Sequence, residues 1–144
     1  MKFTSLALLV LTLTVPVAYA EGNAATSISG KWSNTATHEN FSINKKGIVG
    51  RNAKSCDGQV EQILSMEKGE KWLAEAAKLA AEKDIPQSQY DELAKVIDRT
   101  RSYPQLRSAC YESRDNFIQI TPESMAAISC SEGRCAVVHH VRAH

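Results

Sequence analysis

Between Cys56 and Cys110 the chain reads DGQVEQILSMEKGEKWLAEAAKLAAEKDIPQSQYDELAKVIDRTRSYPQLRSA, residues 57–109. The architecture turns on how these residues are ordered. Val60, Ile63, Leu64 and Met66 form an apolar stripe. It predicts a first helical segment, capped by Asp57, starting near Gly58 or Gln59 and ending near Lys68, where Gly69 interrupts. Residues 70–83 predict a stronger helix: Trp72, Leu73, Ala76, Leu79 and Ala80 share a broad apolar face. The alanines of this run have high helix propensity and permit close packing. Glu67 and Lys71 stand four apart, a helical ion-pair spacing.

Asp84-Ile85-Pro86 breaks the run. Ser88-Gln89-Tyr90-Asp91 resembles a capping box, with Asp91 where Glu or Gln is usual. Tyr90, Leu93, Ala94 and Ile97 then recur at helical spacing. This helix is expected to end near Ser102, ahead of Tyr103-Pro104. The short loop between the two helices predicts an αα-hairpin. Residues 105–111 are expected to add a turn that delivers Cys110 to its partner.

Outside this insert the sequence turns strand-like. Gly30-Lys31-Trp32 opens the ordered domain. Phe41 and Ile43 alternate with Ser42, Asn44-Lys45-Lys46-Gly47 makes a turn, and Ile48-Val49 resumes an apolar strand. Trp32 is expected to pack on the inward face of that hairpin. On the far side, residues 117–120 form a short strand and Thr121-Pro122-Glu123-Ser124 a turn. Residues 125–130 and 135–141 then form a hairpin around Ser131-Glu132-Gly133-Arg134. Ala136, Val137 and Val138 show no alternation, which suggests burial on both faces.

The fold class is α+β: a small antiparallel sheet with a central helical insert forming an αα-hairpin. The Gly-x-Trp of residues 30–32 resembles the opening of several small secreted barrels, lipocalins among them. Such a barrel needs eight strands, and the helical insert takes their space, so the chain is not placed in that family.

Residues 1–20, MKFTSLALLVLTLTVPVAYA, have the order of an export signal: Lys2, an apolar run, then Ala18-Tyr19-Ala20. The run is too short for a span, which needs about 20 residues. Residues 21–29 are small and polar and read as a flexible leader. Residues 30–144 read as a single disulfide-stabilised domain, periplasmic or secreted. Without Lys2 the 17 basic residues become 16, equal to the 16 acidic ones. That balance argues against non-specific nucleic-acid binding.

Four cysteines in an exported chain read as two disulfides. Cys130 and Cys135 flank a hairpin loop. That leaves Cys56 to join Cys110, for about 4 kcal/mol in the chain-entropy model. Paired C-x-x-C spacing is absent, so neither zinc nor a thiol redox site is assigned.

No catalytic, cofactor or metal residue stands out. His139 and His140 would point to opposite sides of a strand. The carboxylates Asp57, Glu61, Asp91, Glu92, Asp98, Glu112 and Asp115 show no paired pattern, and no serine sits in a G-x-S-x-G elbow. Tyr90, Tyr103 and Tyr111 are candidates either for a recognition surface or for the core. The expected function is that of an exported, non-enzymatic protein-binding domain, such as a periplasmic inhibitor or immunity protein. Its partner would be another exported or envelope protein, and no integral membrane segment is expected after residue 20. Candidate contacts are Lys45 and Lys46 at one turn and Glu132 and Arg134 at the hairpin tip. The alternatives are a small exported hydrolase, a small-ligand carrier and a structural envelope protein.

Overall fold

Alternation of apolar side chains along residues 102–142 builds a wall with two apolar faces. On the strand Ser113–Thr121, Phe117 and Ile118 are neighbours in sequence, yet they enter different cores. The same division holds for Met125 and Ala127 against Ala126 and Ile128 on the next strand. One face lines the inside of a barrel and the other carries helices.

The computed structural model describes residue 24, residues 26–49, 61–111 and 113–144. The elements are β1 (Gly30–Asn34), β2 (Asn40–Asn44), β3 (Gly47–Val49), β4 (Glu61–Lys68), α1 (Gly69–Ala81), α2 (Gln87–Val96), β5 (Ser102–Cys110), β6 (Ser113–Thr121), β7 (Ser124–Ser131) and β8 (Arg134–Arg142). The eight strands form one antiparallel sheet in the order β3-β2-β1-β8-β7-β6-β5-β4. Except for β3 and β4, sequence neighbours are therefore also sheet neighbours, and β1 pairs with β8. The sheet curls into a nearly closed barrel with β3 and β4 at its seam. There the Ile48 N–H donates to Gln62 Oε1 at 2.6 Å. Gly47, at φ +118°, turns the chain into this seam, where a Cβ would strike the Gln62 side chain.

Two expectations fail here. The stripe from Ile63 to Met66 lies in strand β4, not in a helix, while Val60 lies outside the described residues; residues 105–111 fall mainly in β5. Eight strands do fit, because the helices occupy only the middle of the Cys56–Cys110 stretch. In β4 the alternation places Gln62, Leu64 and Met66 on the barrel side, opposite Ser108, Leu106 and Pro104 of β5. Pro104 is tolerated because the ladder to β6 begins only at Gln105. Glu67 does pair with Lys71, at 2.6 Å, but from a strand end to the first helical turn.

Gly69 begins α1 rather than ending a helix. Its N–H and that of Glu70 donate to the carbonyls of Arg101 and Arg99, at 2.9 and 3.0 Å. The end of α1 is thereby capped by the loop that leads into β5. A Cβ at residue 69 would collide with the Asp98 carbonyl and Ile97. The proposed capping box at Ser88–Asp91 is not formed: α2 starts after Pro86 with no side-chain cap. It ends at Val96, earlier than expected, because the chain turns at residues 97–101 to enter β5. The αα-hairpin itself is present.

Trp72, Leu73, Ala76, Ala80, Leu93 and Ile97 pack on Tyr103, Ile118, Ala126 and Ile128 of the outer sheet face. Inside the barrel, Trp32, Ile43, Leu106, Phe117, Met125 and Ala127 fill the lumen. An eight-stranded barrel is just wide enough for such a filling. Trp32 packs over the β2–β3 hairpin, as expected. Ile28 is fully buried in the same cluster. Arg142 closes this end. Its guanidinium lies 4.2 Å from the Trp32 ring centroid and donates to the carbonyls of Ser27, Ser29 and Pro122. Strand β8 is less covered than expected: Ala136 is exposed and Val137 and Val138 are half-buried.

Cys130 and Cys135 are directly paired across β7 and β8 and joined by a disulfide, as expected. Glu132 and Gly133 both have positive φ, the requirement of a tight two-residue hairpin turn. Cys110 is disulfide-bonded too. Its expected partner Cys56 lies outside the described residues, as do residues 1–20, Asp57 and Glu112. No helix of the described residues is long and apolar enough to cross a membrane.

Candidate functional site

A groove of about 750 Å³ lies between the second half of α1 and the outer face of β4–β7. Strand alternation sets its floor. Arg107 and Asn116, paired across β5 and β6, both point outward beneath the helix. Glu75 descends from α1 to meet them. One carboxylate oxygen accepts from Arg107 Nη2 at 2.5 Å and the other from Asn116 Nδ2 at 2.7 Å. Glu67 adds a second carboxylate 3.7 Å from the same guanidinium. These charges are spent on each other and lock the helix to the sheet.

Apolar floor comes from Leu79, Ile128 and Cys130. At the rim stand Ile63, 48% exposed, and Tyr111, 60% exposed, with Lys78, Glu82 and Arg114 around them. Tyr111 has φ +53°, rare for a tyrosine, in the β5–β6 turn. An exposed aromatic, an exposed isoleucine and an arginine thus stand around a concave surface.

The other candidate residues are placed as follows. Lys45 and Lys46 are exposed in the β2–β3 turn; Glu132 and Arg134 are exposed at the β7–β8 turn. In this up-and-down order the two turns lie at opposite ends of the barrel. One compact epitope does not contain both pairs. Of the described tyrosines, Tyr103 is buried and Tyr90 bonds Arg99 at 3.1 Å; among these Tyr111 alone reaches the groove.

His139 faces out and His140 faces into the barrel. The His140 ring packs edge-on to Phe41, centroids 5.1 Å apart, and against Phe117 at 5.7 Å. Burial, with a smaller contribution from His139, lowers its pKa to about 4. Asp98 is held below the usual carboxylate range by hydrogen bonds from Thr100. Among the described residues no three His, Cys, Asp or Glu side chains converge to hold a metal. Sequence reasoning missed the Glu75–Arg107–Asn116 cluster, whose members are 32 and 41 residues from Glu75.

Compared with known protein families, curated proteins and solved structures, the chain finds no match in any of the three.

Proposed function

We propose that this chain is an exported, non-enzymatic binding domain whose partner is another protein of the envelope or exterior. The observation that supports the reading most is the groove rim, where Tyr111, Ile63 and Arg114 surround a floor braced by the half-buried Glu75–Arg107 ion pair. Recognition there draws on an aromatic anchor and local charge, in a chain whose basic and acidic residues nearly cancel. Glu75 is engaged by two donors, so it serves as a structural counter-ion rather than as an acid or base. The disulfide-bonded hairpin Cys130–Cys135 forms part of the same wall and presents it at low ordering cost.

The oxidised protein, immobilised and exposed to envelope extract, is expected to retain a stoichiometric protein partner. Tyr111→Ala and Arg114→Glu should each weaken that retention while the helical circular dichroism stays unchanged. Equal retention by both variants rejects the groove as the contact. Reproducible turnover by the purified protein, abolished by changing one acidic or histidine residue, places the chain among enzymes instead.

A further inference from the structure

Strand β4 is paired to β5 along all eight of its residues, Glu61 to Lys68. Its other edge is different. Among the described residues no strand lies in register beside it, and β3 meets it only through the Ile48 N–H and the Gln62 side chain. Gln62 thus ends the seam: a side-chain amide stands where a backbone ladder would continue. Beyond it residues 63–68 run on for about 20 Å at strand spacing. Alternate residues of a strand direct their N–H and C=O groups to opposite edges, so this edge carries a row of amide donors and acceptors. One carbonyl in the stretch, that of Glu67, accepts from Gln105 Nε2 at 3.3 Å.

The ends of this edge differ in charge. Gly47 abuts Gln62, so the turn Asn44-Lys45-Lys46-Gly47 stands at the Gln62 end of the open stretch. The Lys46 N–H donates to Asn44 Oδ1 at 2.8 Å, which holds the turn. Both lysine side chains are exposed, and among the described residues neither forms an ion pair. An antiparallel strand added to β4 would run toward this turn and finish against the two lysines. Its outward side chains would lie beside Ile63, on the groove rim.

We propose that β4 accepts an extended segment of the partner protein by antiparallel strand addition, and that this segment has an acidic C-terminal end seated at Lys45 and Lys46. The inference rests on the protein-binding reading and specifies its chemistry. Backbone pairing supplies affinity and the lysine turn supplies direction.

Two synthetic eight-residue peptides of alternating valine and threonine test it, one ending in two aspartates and the other in two lysines. The acidic peptide should bind the oxidised protein and slow amide hydrogen exchange at residues 63–68. At low salt it should bind about fivefold tighter than the lysine-ended peptide, two exposed charge pairs being worth about that much. Lys45→Gln with Lys46→Gln should erase the preference but keep the protection, and N-methylation of alternate peptide residues should abolish binding. Equal affinities for the two ends, binding without protection at residues 63–68, or no binding up to about 1 mM overturns the proposal. If the peptides fail while Tyr111→Ala still loses its captured partner, the edge inference falls alone. Binding of the acidic peptide with no effect of Tyr111→Ala on capture removes the groove and keeps the edge.

Discussion

Replacing His140 with leucine should flatten part of the acid dependence of stability. The imidazole is 6% exposed, lies between Phe41 and Phe117, and its Nδ1 has no hydrogen-bond partner among the described residues. In the fold its pKa is about 4, against 6.5 for the free side chain. The unfolded chain therefore binds the proton more tightly, and between these values acidification favours unfolding. The stability is complete above pH 6.5, falls as the pH drops toward 4, and levels off below. From pH 7 to pH 4.5 the linkage amounts to about 2–3 kcal/mol. Leucine has a similar volume and no titratable nitrogen, so His140→Leu should lose about 2–3 kcal/mol less than the wild type over this interval. Asp98 acts in the same direction only at lower pH, as its depressed pKa is passed, and it is common to both proteins. Guanidinium unfolding at pH 7 and pH 4.5, read by tryptophan fluorescence, gives the double difference. Parallel profiles for the two proteins would show that His140 takes up its proton as readily in the fold as in the unfolded chain, and would refute the reasoning.

Arg142→Ala should cost about 2–4 kcal/mol, from charge-assisted bonds to three carbonyls and the contact with Trp32; chemical denaturation measures it, and Arg142→Lys should recover only part. Gly69→Ala should destabilise by about 1–3 kcal/mol despite the better helix propensity of alanine, because its Cβ meets the Asp98 carbonyl and Ile97; a thermal melt at or above the wild-type midpoint contradicts this. Cys130→Ser with Cys135→Ser should cost about 2 kcal/mol in the chain-entropy model for so short a loop, read as a lower denaturation midpoint with helix content kept. Material recovered after export should lack residues 1–20 by intact mass, and a retained Met1 rejects the signal reading.

Features encoded locally were legible in the sequence. The turns at residues 44–47 and 131–134 carry their own backbone chemistry, and Trp72, Leu73, Ala76 and Ala80 mark a helix face within three turns. Residues 60–66 were not, because Val60, Ile63, Leu64 and Met66 fit a helical stripe, while Gln62, Leu64 and Met66 equally fit a strand face. What decides between them is pairing with β5, about 40 residues away, and no local signal carries it. Gly69 is similar: read along the chain it breaks a helix, yet it is required where α1 meets the Asp98 carbonyl. Of the groove, Tyr111 was visible as a candidate, but its partners at the rim come from separate strands and a helix.

The Arg142 clasp places the last strand against the segment that enters the first, since Ser27 and Ser29 accept from the same guanidinium. The chain therefore enters β1 and leaves β8 at one pole of the barrel, and these two strands are already side by side. Such a layout suits circular permutation. A short glycine-serine linker from the end of β8 to residue 26, with new ends opened in the exposed residues 35–39, would leave every strand pairing intact. The same geometry makes this pole the place for a fusion or surface tether, since the β5–β6 and β7–β8 turns open at the other.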